Sequence, residues 1–335
     1  MIKTTRKSIL PGMALALLGG LALYAGTGSA TLLSLLTQAT IYAIFALGVG
    51  LLLRQSGLVS FGHAAFFGSA GYLVALLLKY ADLAAGPAIL ATVLIIGVAA
   101  FLLGLVIGRI PGIAFGMLTL AVGQTLYLST LKSRDLLGGA DGLNIAWLDT
   151  LFGAPMRALY DPGTMFLVCW VTLVLIAAAL AWLVRSRFGS TAAAIRDNEE
   201  RARYIGIRVL VPRAAIYGLS AAVSAVAGIL SALYTGFVSP ESLHWSVSGV
   251  ALMMVILGGF RVLWGPVLGA MLYFLAKDYL GEVTDYWMAL LGAALILTVV
   301  YAPDGLSGTL VQVYQRLRRP ARTAALTRLE EGKSC

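Results

Sequence analysis

Charge is what this sequence has least of. Asp, Glu, Lys and Arg make up 12% of its 335 residues while 60% are hydrophobic, whereas a soluble chain carries about a quarter charged residues. With a mean hydropathy of +0.91, the scarcity excludes a soluble globular domain and leaves an integral membrane protein. Cysteine is nearly absent too: Cys169 lies inside an apolar run and Cys335 is the last residue, so no disulfide framework or thiolate metal site can be built. His63 and His244 are the only histidines, too few for a metalloenzyme centre.

The acidic residues, from Asp82 to Glu331, fall in loops, in tails or at the ends of apolar runs. Proton-coupled carriers hold carboxylates within the bilayer as relays, and this chain shows none. Sodium coupling through the carbonyls of broken helices stays open. Gly332, Lys333 and Ser334 form the only Gly-Lys-Ser, but Thr327 stands where a phosphate loop needs its first glycine. No strand precedes that stretch and no helix can follow, so neither nucleotide chemistry nor a metal site is expected in the chain, and no catalytic triad is visible.

What is present is a series of apolar runs, each close to the roughly 20 residues that cross a bilayer as a helix. They cover 9–25, 31–53, 58–78, 84–107, 112–131, 164–184, 214–234, 247–260, 262–276 and 286–302. Lys3, Arg6 and Lys7 precede the first run, Arg316, Arg318, Arg319, Arg322 and Arg328 follow the last, and arginines outnumber acids between 185 and 213. Positively charged flanks stay cytoplasmic, and ten crossings satisfy all three clusters at once. The expected fold is an all-α integral membrane protein of about ten transmembrane helices with both termini cytoplasmic. Its organisation is a transmembrane domain over 1–310 and a basic, disordered cytoplasmic tail over 311–335, with 132–163 an external loop and 185–213 a cytoplasmic one. The small residues "GTGSA" at 26–30 resemble a secretory cleavage site, but the reading adopted is an uncleaved first span. A sequence pI near 9.7 follows from the basic flanks and from anionic lipid, so no nucleic-acid partner is needed.

The one concentration of charge is "AAIRDNEERARYIGI", 193–207. Asp197 is placed as an N-cap with Glu200 three residues on, and Gly206 as the helix stop. Arg196 with Glu200, and Glu199 with Arg203, stand at i and i+4, while Ile195, Ala202 and Ile205 share a side. A short cytoplasmic helix is expected. An interfacial helix resting on lipid gains nothing from Asp197, Glu199 and Glu200, so mixed charge points to a protein partner.

Three further stretches carry polar groups. "GLVSFGHAAFFGSAGY", 57–72, holds Ser60 and His63 among glycines, and reads either as tight helix association or as a bent helix beside a translocation path. Thr119 and Gln124, with Thr125, lie near one helical face and serve either use. Gly139, Asp141 and Gly142 of "GGADGLNIAW" mark a turn or a docking surface for an external partner.

"GLVSFGHAAFFG", "SRFGSTAAAIRDNEERARYIGI", "GFVSPESL" and "LGGFRVLWGPVLGA" together resemble the permease subunits of bacterial ABC importers for branched-chain amino acids, in particular the M-type member of the permease pair. The resemblance runs over about 40–310. It implies a multi-pass protein of the bacterial inner membrane that pairs with a second permease, two cytoplasmic ATPase subunits that bind ATP and Mg, and a periplasmic binding protein for leucine, isoleucine or valine. It also implies that Arg196, Asp197, Glu199, Glu200, Arg201, Ala202 and Gly206 form the ATPase-coupling element. The importer signature of Glu-Ala-Ala and a later glycine maps onto Glu200, Ala202 and Gly206, with Arg201 departing from it. Five spans per half would make the halves inverted in topology. Urea, short amides or aromatic acids remain alternative cargoes, and a self-sufficient carrier an alternative class.

Overall fold

A computed structural model describes residues 9–26, 29–81, 84–110, 112–145, 150–151, 154–155, 161–302 and 304–317. The ten apolar runs coincide with α1 (Ile9–Gly26), α2 (Ala30–Ser56), α3 (His63–Tyr80), α4 (Ala85–Ile107), α5 (Ile113–Lys132), α7 (Pro162–Arg185), α10 (Leu210–Thr235), α11 (Trp245–Gly258), α12 (Gly265–Val283) and α13 (Trp287–Tyr301). Between and after them lie α6 (Arg134–Leu137), α8 (Arg187–Asp197), α9 (Glu199–Tyr204) and α14 (Gly305–Leu317). The described residues also include four two-residue strands, β1 (Leu143–Asn144), β2 (Thr150–Leu151), β3 (Ala154–Pro155) and β4 (Phe237–Val238), and two short 3-10 turns, Gly139–Asp141 and Pro240–Leu243.

The protein is an all-helical membrane protein. Among the described residues, α2, α4, α5, α7 and α10 have the length and apolarity of a span, and α13 with residues 305–313, bent by 45°, makes a sixth candidate. α11 has 14 residues, and the last turns of α12 carry Lys277, Asp278 and Glu282, so these helices do not meet that test. Each of the ten apolar runs thus corresponds to a helix, but span character is shown for five or six of them, and ten crossings are not shown.

Three boundaries differ from the sequence reading. Gly57 closes α2 in the left-handed conformation (φ 66°), and 57–62 is a non-helical segment, so α3 starts at His63 and not at 58. Leu58, Ser60 and Gly62 within it are nonetheless buried, and the Phe61 N–H donates to Thr119 Oγ1 of α5 at 3.2 Å. α12 runs on to Val283, past 276. α14 extends to Leu317, into the stretch expected as a disordered tail, and 318–335 lie outside the described residues.

α2 and α10 form the centre, with 78% of the residues in the apolar window of each buried. Their contact is close because the facing residues are small, as in membrane helix pairs generally. A Cβ on Gly48 of α2 would stand 2.8 Å from Ser224 Oγ and 2.9 Å from the Ser220 carbonyl of α10. α3 and α4 also pack on α10, and α7, α11 and α12 on α2. At one end of the bundle β1 pairs antiparallel with β4, with Leu143 opposite Val238 and Asn144 opposite Phe237. The other end holds the C-termini of α2 and α4, the start of α10, and the α8–α9 unit.

Candidate functional site

The charged stretch folds as two short helices joined at a kink. Ser186 caps α8 by accepting the Gly189 N–H at 3.2 Å. Asn198, extended at φ −159°, breaks the helix and its Oδ1 accepts the Arg201 N–H at 2.8 Å. The expected cap at Asp197 is thus corrected: Asp197 is the last residue of α8, and Asn198 caps α9. Gly206 stops the helix as its position suggested. At φ 82° it sits in a Schellman arrangement, with the Gly206 N–H on the Arg203 carbonyl (2.9 Å) and the Ile207 N–H on the Ala202 carbonyl (3.0 Å).

The ion pairs also differ in part. Glu199 pairs with Arg203 at 2.6 Å, at the spacing read from the sequence. Arg196 pairs with its neighbour Asp197 at 2.7 Å and not with Glu200, because the kink at Asn198 removes the continuous helix that would align them. Glu199 has a second partner that spacing along one helix could not reveal: Arg213 of α10, at 2.8 Å. Arg213 is 8% exposed and also donates to the Gly108 carbonyl, which ends α4, at 3.0 Å. Arg196 donates to the Arg54 carbonyl near the end of α2. The hydrogen bond from Arg213 holds the Glu199 carboxyl below its ordinary range, with partial burial opposing it and the nearby Arg213 and Arg203 charges adding to the effect.

Below the helices, Ile195, Ala202 and Val209 form a small buried cluster. Ile205, expected on that side, is 71% exposed beside Tyr204 at 90%, since the chain has left the helix by then. Glu200 and Arg201 are exposed as well. The unit is therefore bolted to α2, α4 and α10 on one side and presents mixed charge with two large apolar side chains on the other.

In the interior, His63 is fully buried. Its Nε2 lies 2.6 Å from Ser220 Oγ, and Ser220 gives its proton to the Gly48 carbonyl at 2.7 Å. The ring nitrogen therefore donates, and α2, α3 and α10 share one short chain of hydrogen bonds. Nδ1 has no hydrogen-bond partner, and the ring meets Phe66 and Tyr217 edge-on. Ser60 accepts the Gly62 N–H at 3.3 Å, and Thr119 donates to the Gly116 carbonyl at 2.8 Å. Ser248 of α11 accepts the Ala64 N–H at 2.7 Å. These groups pin the broken α2–α3 connection from three sides. Gln124 stands apart, half-buried on α5 with Oε1 unpartnered.

At the opposite end, Gly139 (φ 59°) and Gly142 (φ 69°) form a single turn around exposed Asp141. A Cβ on Gly142 would run into the Val238 carbonyl, which is how this turn brings β1 onto β4. The structure thus joins "LLGGADGL" to "GFVSPESL", two motifs far apart in sequence. Beside the junction, between α3 and α10, is a cavity of about 300 Å³ whose lining includes Gly68, Gly71, Ser231, Thr235, Glu241 and Ser242. None of its polar residues was singled out from the sequence. "GFVSPESL" was visible there as a motif, but nothing in its spacing places it against α3.

A family model described as branched-chain amino acid transport system / permease component matches residues 31–299. The chain belongs to this family. It is accordingly a multi-pass permease component of an ABC transporter and not itself the catalytic unit, the ATPase of such systems being a separate subunit. The high-affinity branched-chain amino acid transport system permease protein LivM of Salmonella typhimurium is 28% identical over 81% of the chain and 68% of its own length. The galactose/methyl galactoside import permease protein MglC of the same organism is 26% identical over 80% and 84%. The autoinducer 2 import system permease protein LsrC of Escherichia coli O157:H7 is 29% identical over 67% of each chain. No solved structure is significantly similar. The chain is thus similar to permeases whose names carry different cargoes, and similarity alone does not fix its own.

Proposed function

We propose that the chain is the M-type permease of an ATP-driven importer, forming with a second permease the path for leucine, isoleucine or valine delivered by a periplasmic binding protein. The ten apolar helices each cross the bacterial inner membrane, with both termini cytoplasmic and the halves inverted. Two cytoplasmic ATPases supply the energy, one of them docking on residues 196–206. Gly139, Asp141 and Gly142 form part of the binding-protein surface.

The observation that carries this reading is the anchoring of the charged unit. Arg213 ties Glu199 to the start of α10 and the end of α4, and Arg196 ties it to the end of α2. A partner that moves Tyr204 and Ile205 therefore moves the helices at the centre of the bundle. Among the described residues no Asp or Glu is buried, so none is there to do that work by protonation. Ser60, His63 and Thr119 lie where α2, α3 and α5 meet, and a shift of α10 against α2 would be felt first at the His63–Ser220–Gly48 chain.

The test is ATP-driven uptake by the reconstituted importer. Glu200→Lys or Gly206→Leu is expected to leave the chain inserted and the ATPases hydrolysing, while leucine uptake falls about tenfold or more. Wild-type uptake in both variants would remove the coupling role. Leucine uptake driven by an ion gradient in liposomes holding this chain alone would remove the importer reading altogether.

A further inference from the structure

The cavity between α3 and α10 has a chemistry that selects one kind of ligand. Its volume of about 300 Å³ is at the lower end for small-molecule sites and suits a solute of amino-acid size. Gly68 and Gly71 of α3 let the cavity's rim pack close: a Cβ on Gly71 would come within 3.2 Å of Val238, and one on Gly68 within 2.6 Å of Leu243. Ring and aliphatic surface from Phe67, Val238 and Val247 forms part of the apolar lining.

Its polar side combines the hydroxyls of Tyr42, Ser231 and Ser239 with two hydroxyls that serve as acceptors. Ser242 Oγ gives its proton to the Ser239 carbonyl at 2.7 Å, and Thr235 Oγ1 gives its own to a backbone carbonyl, with Phe237 O at 2.8 Å and Ser231 O at 2.9 Å. Both hydroxyls can then only accept from a ligand. Glu241 is the one carboxylate in the lining, no Lys or Arg accompanies it there, and it forms no ion pair among the described residues. A carboxylate with hydroxyl lone pairs, and no fixed cation, favours a ligand group that carries positive charge and several N–H donors. A phosphate, or a carboxylic acid with no ammonium group of its own to offset its charge, meets no countercharge here, and a neutral sugar leaves Glu241 without a partner.

We propose that this cavity holds the incoming solute, that Glu241 takes its ammonium group together with Thr235 and Ser242, and that the Phe67, Val238 and Val247 surface receives an aliphatic side chain. The assignment rests on the amino-acid import reading above and extends it to named residues. It also gives α10 two working ends. Ser231 and Thr235 line the cavity, Arg213 grips the charged unit, and the rise along the helix from Arg213 to Thr235 is about 33 Å at 1.5 Å per residue.

The experiment is uptake of labelled leucine and, separately, galactose by the reconstituted complex of both permeases, the ATPases and the binding protein. Wild type is compared with Glu241→Gln and Glu241→Asp at equal membrane amounts. Since Glu241 is exposed at the rim, neither substitution threatens the fold. Glu241→Gln is expected to lower leucine uptake about tenfold, the scale of a lost charge-assisted hydrogen bond, and to keep that defect at saturating binding protein, while Glu241→Asp recovers most of it. Leucine uptake unaltered by Glu241→Gln would overturn the assignment and leave the importer reading standing. A defect abolished by excess binding protein would overturn it too, placing Glu241 in the docking surface. Galactose uptake without leucine uptake in the wild type would bring down both readings together.

Discussion

α10 and α7 are nearly the same length, 26 and 24 residues, and both are apolar enough to span a membrane. Yet 78% of the apolar window of α10 is buried and only 22% of that of α7. Hydrophobicity does not explain the difference, because α7 is the more apolar of the two. In lipid, a helix gains nothing by hiding leucine from its surroundings, and what brings helices together is close backbone approach and hydrogen bonds between them. α10 supplies these with Gly218, Ser220, Ser224 and Gly228, each facing another helix. α7 presents Val171, Leu175 and Trp182 outward, and the groove it shares with α4 and α10 is lined by apolar residues.

The comparison can be broken most sharply at Gly228, where a Cβ would strike the Phe67 backbone of α3. Gly228→Leu is expected to cost about 3 kcal/mol and to abolish recovery of monodisperse protein in detergent. Leu175→Ala on α7 should stay within about 0.5 kcal/mol. An equal loss from Leu175→Ala would mean that the α7 face is covered in the assembly, and co-purification of the second permease would then fall with it.

Arg213→Ala comes next, at about 2 to 3 kcal/mol, because it frees the Gly108 carbonyl and the inner oxygen of Glu199 at once. ATP hydrolysis should persist while uptake drops, whereas Arg185→Ala at the end of α7 should change neither. His63→Ala is expected to cost about 1 to 2 kcal/mol, with transport impaired more than membrane insertion. Equal loss of both would assign His63 to structure alone.

The smallest effect is a pH dependence. Glu199 has its folded pKa depressed below the ordinary value of 4.5, so its contribution is fully present above that value and is lost as pH falls below it through the folded pKa. Hydrogen exchange across 199–206 should therefore quicken below about pH 4.5 in the wild type. In Glu199→Gln the same segment should exchange fast throughout, with α7 unaffected in either protein.

Much of the molecule was legible in the chain. Apolar runs marked every long helix, Gly206 marked a stop, and the Glu199–Arg203 spacing marked an ion pair that forms. The errors share one cause. The first turn expected for α3 is lost because Gly57 turns the backbone and Thr119, from another helix, holds the segment that follows. The capping reading chose Asp197 over Asn198 because the local pattern suits either residue. The tertiary anchors at Arg54 and Arg213 accompany a break at Asn198. Ile205 kept the period of a helix that had already ended.

Composition and periodicity, which are local properties, determined the solvent this protein lives in and where its helices lie, and they place no carboxylate inside an apolar run to serve as a proton relay. Only the tertiary structure decided which apolar helix is central, that Glu199 is held by Arg213, and that Glu241 looks into a cavity floored by α3. Those facts depend on contacts between residues tens to hundreds of positions apart, and in a chain where nearly every segment is apolar, hydrophobic pattern alone does not distinguish one neighbour from another.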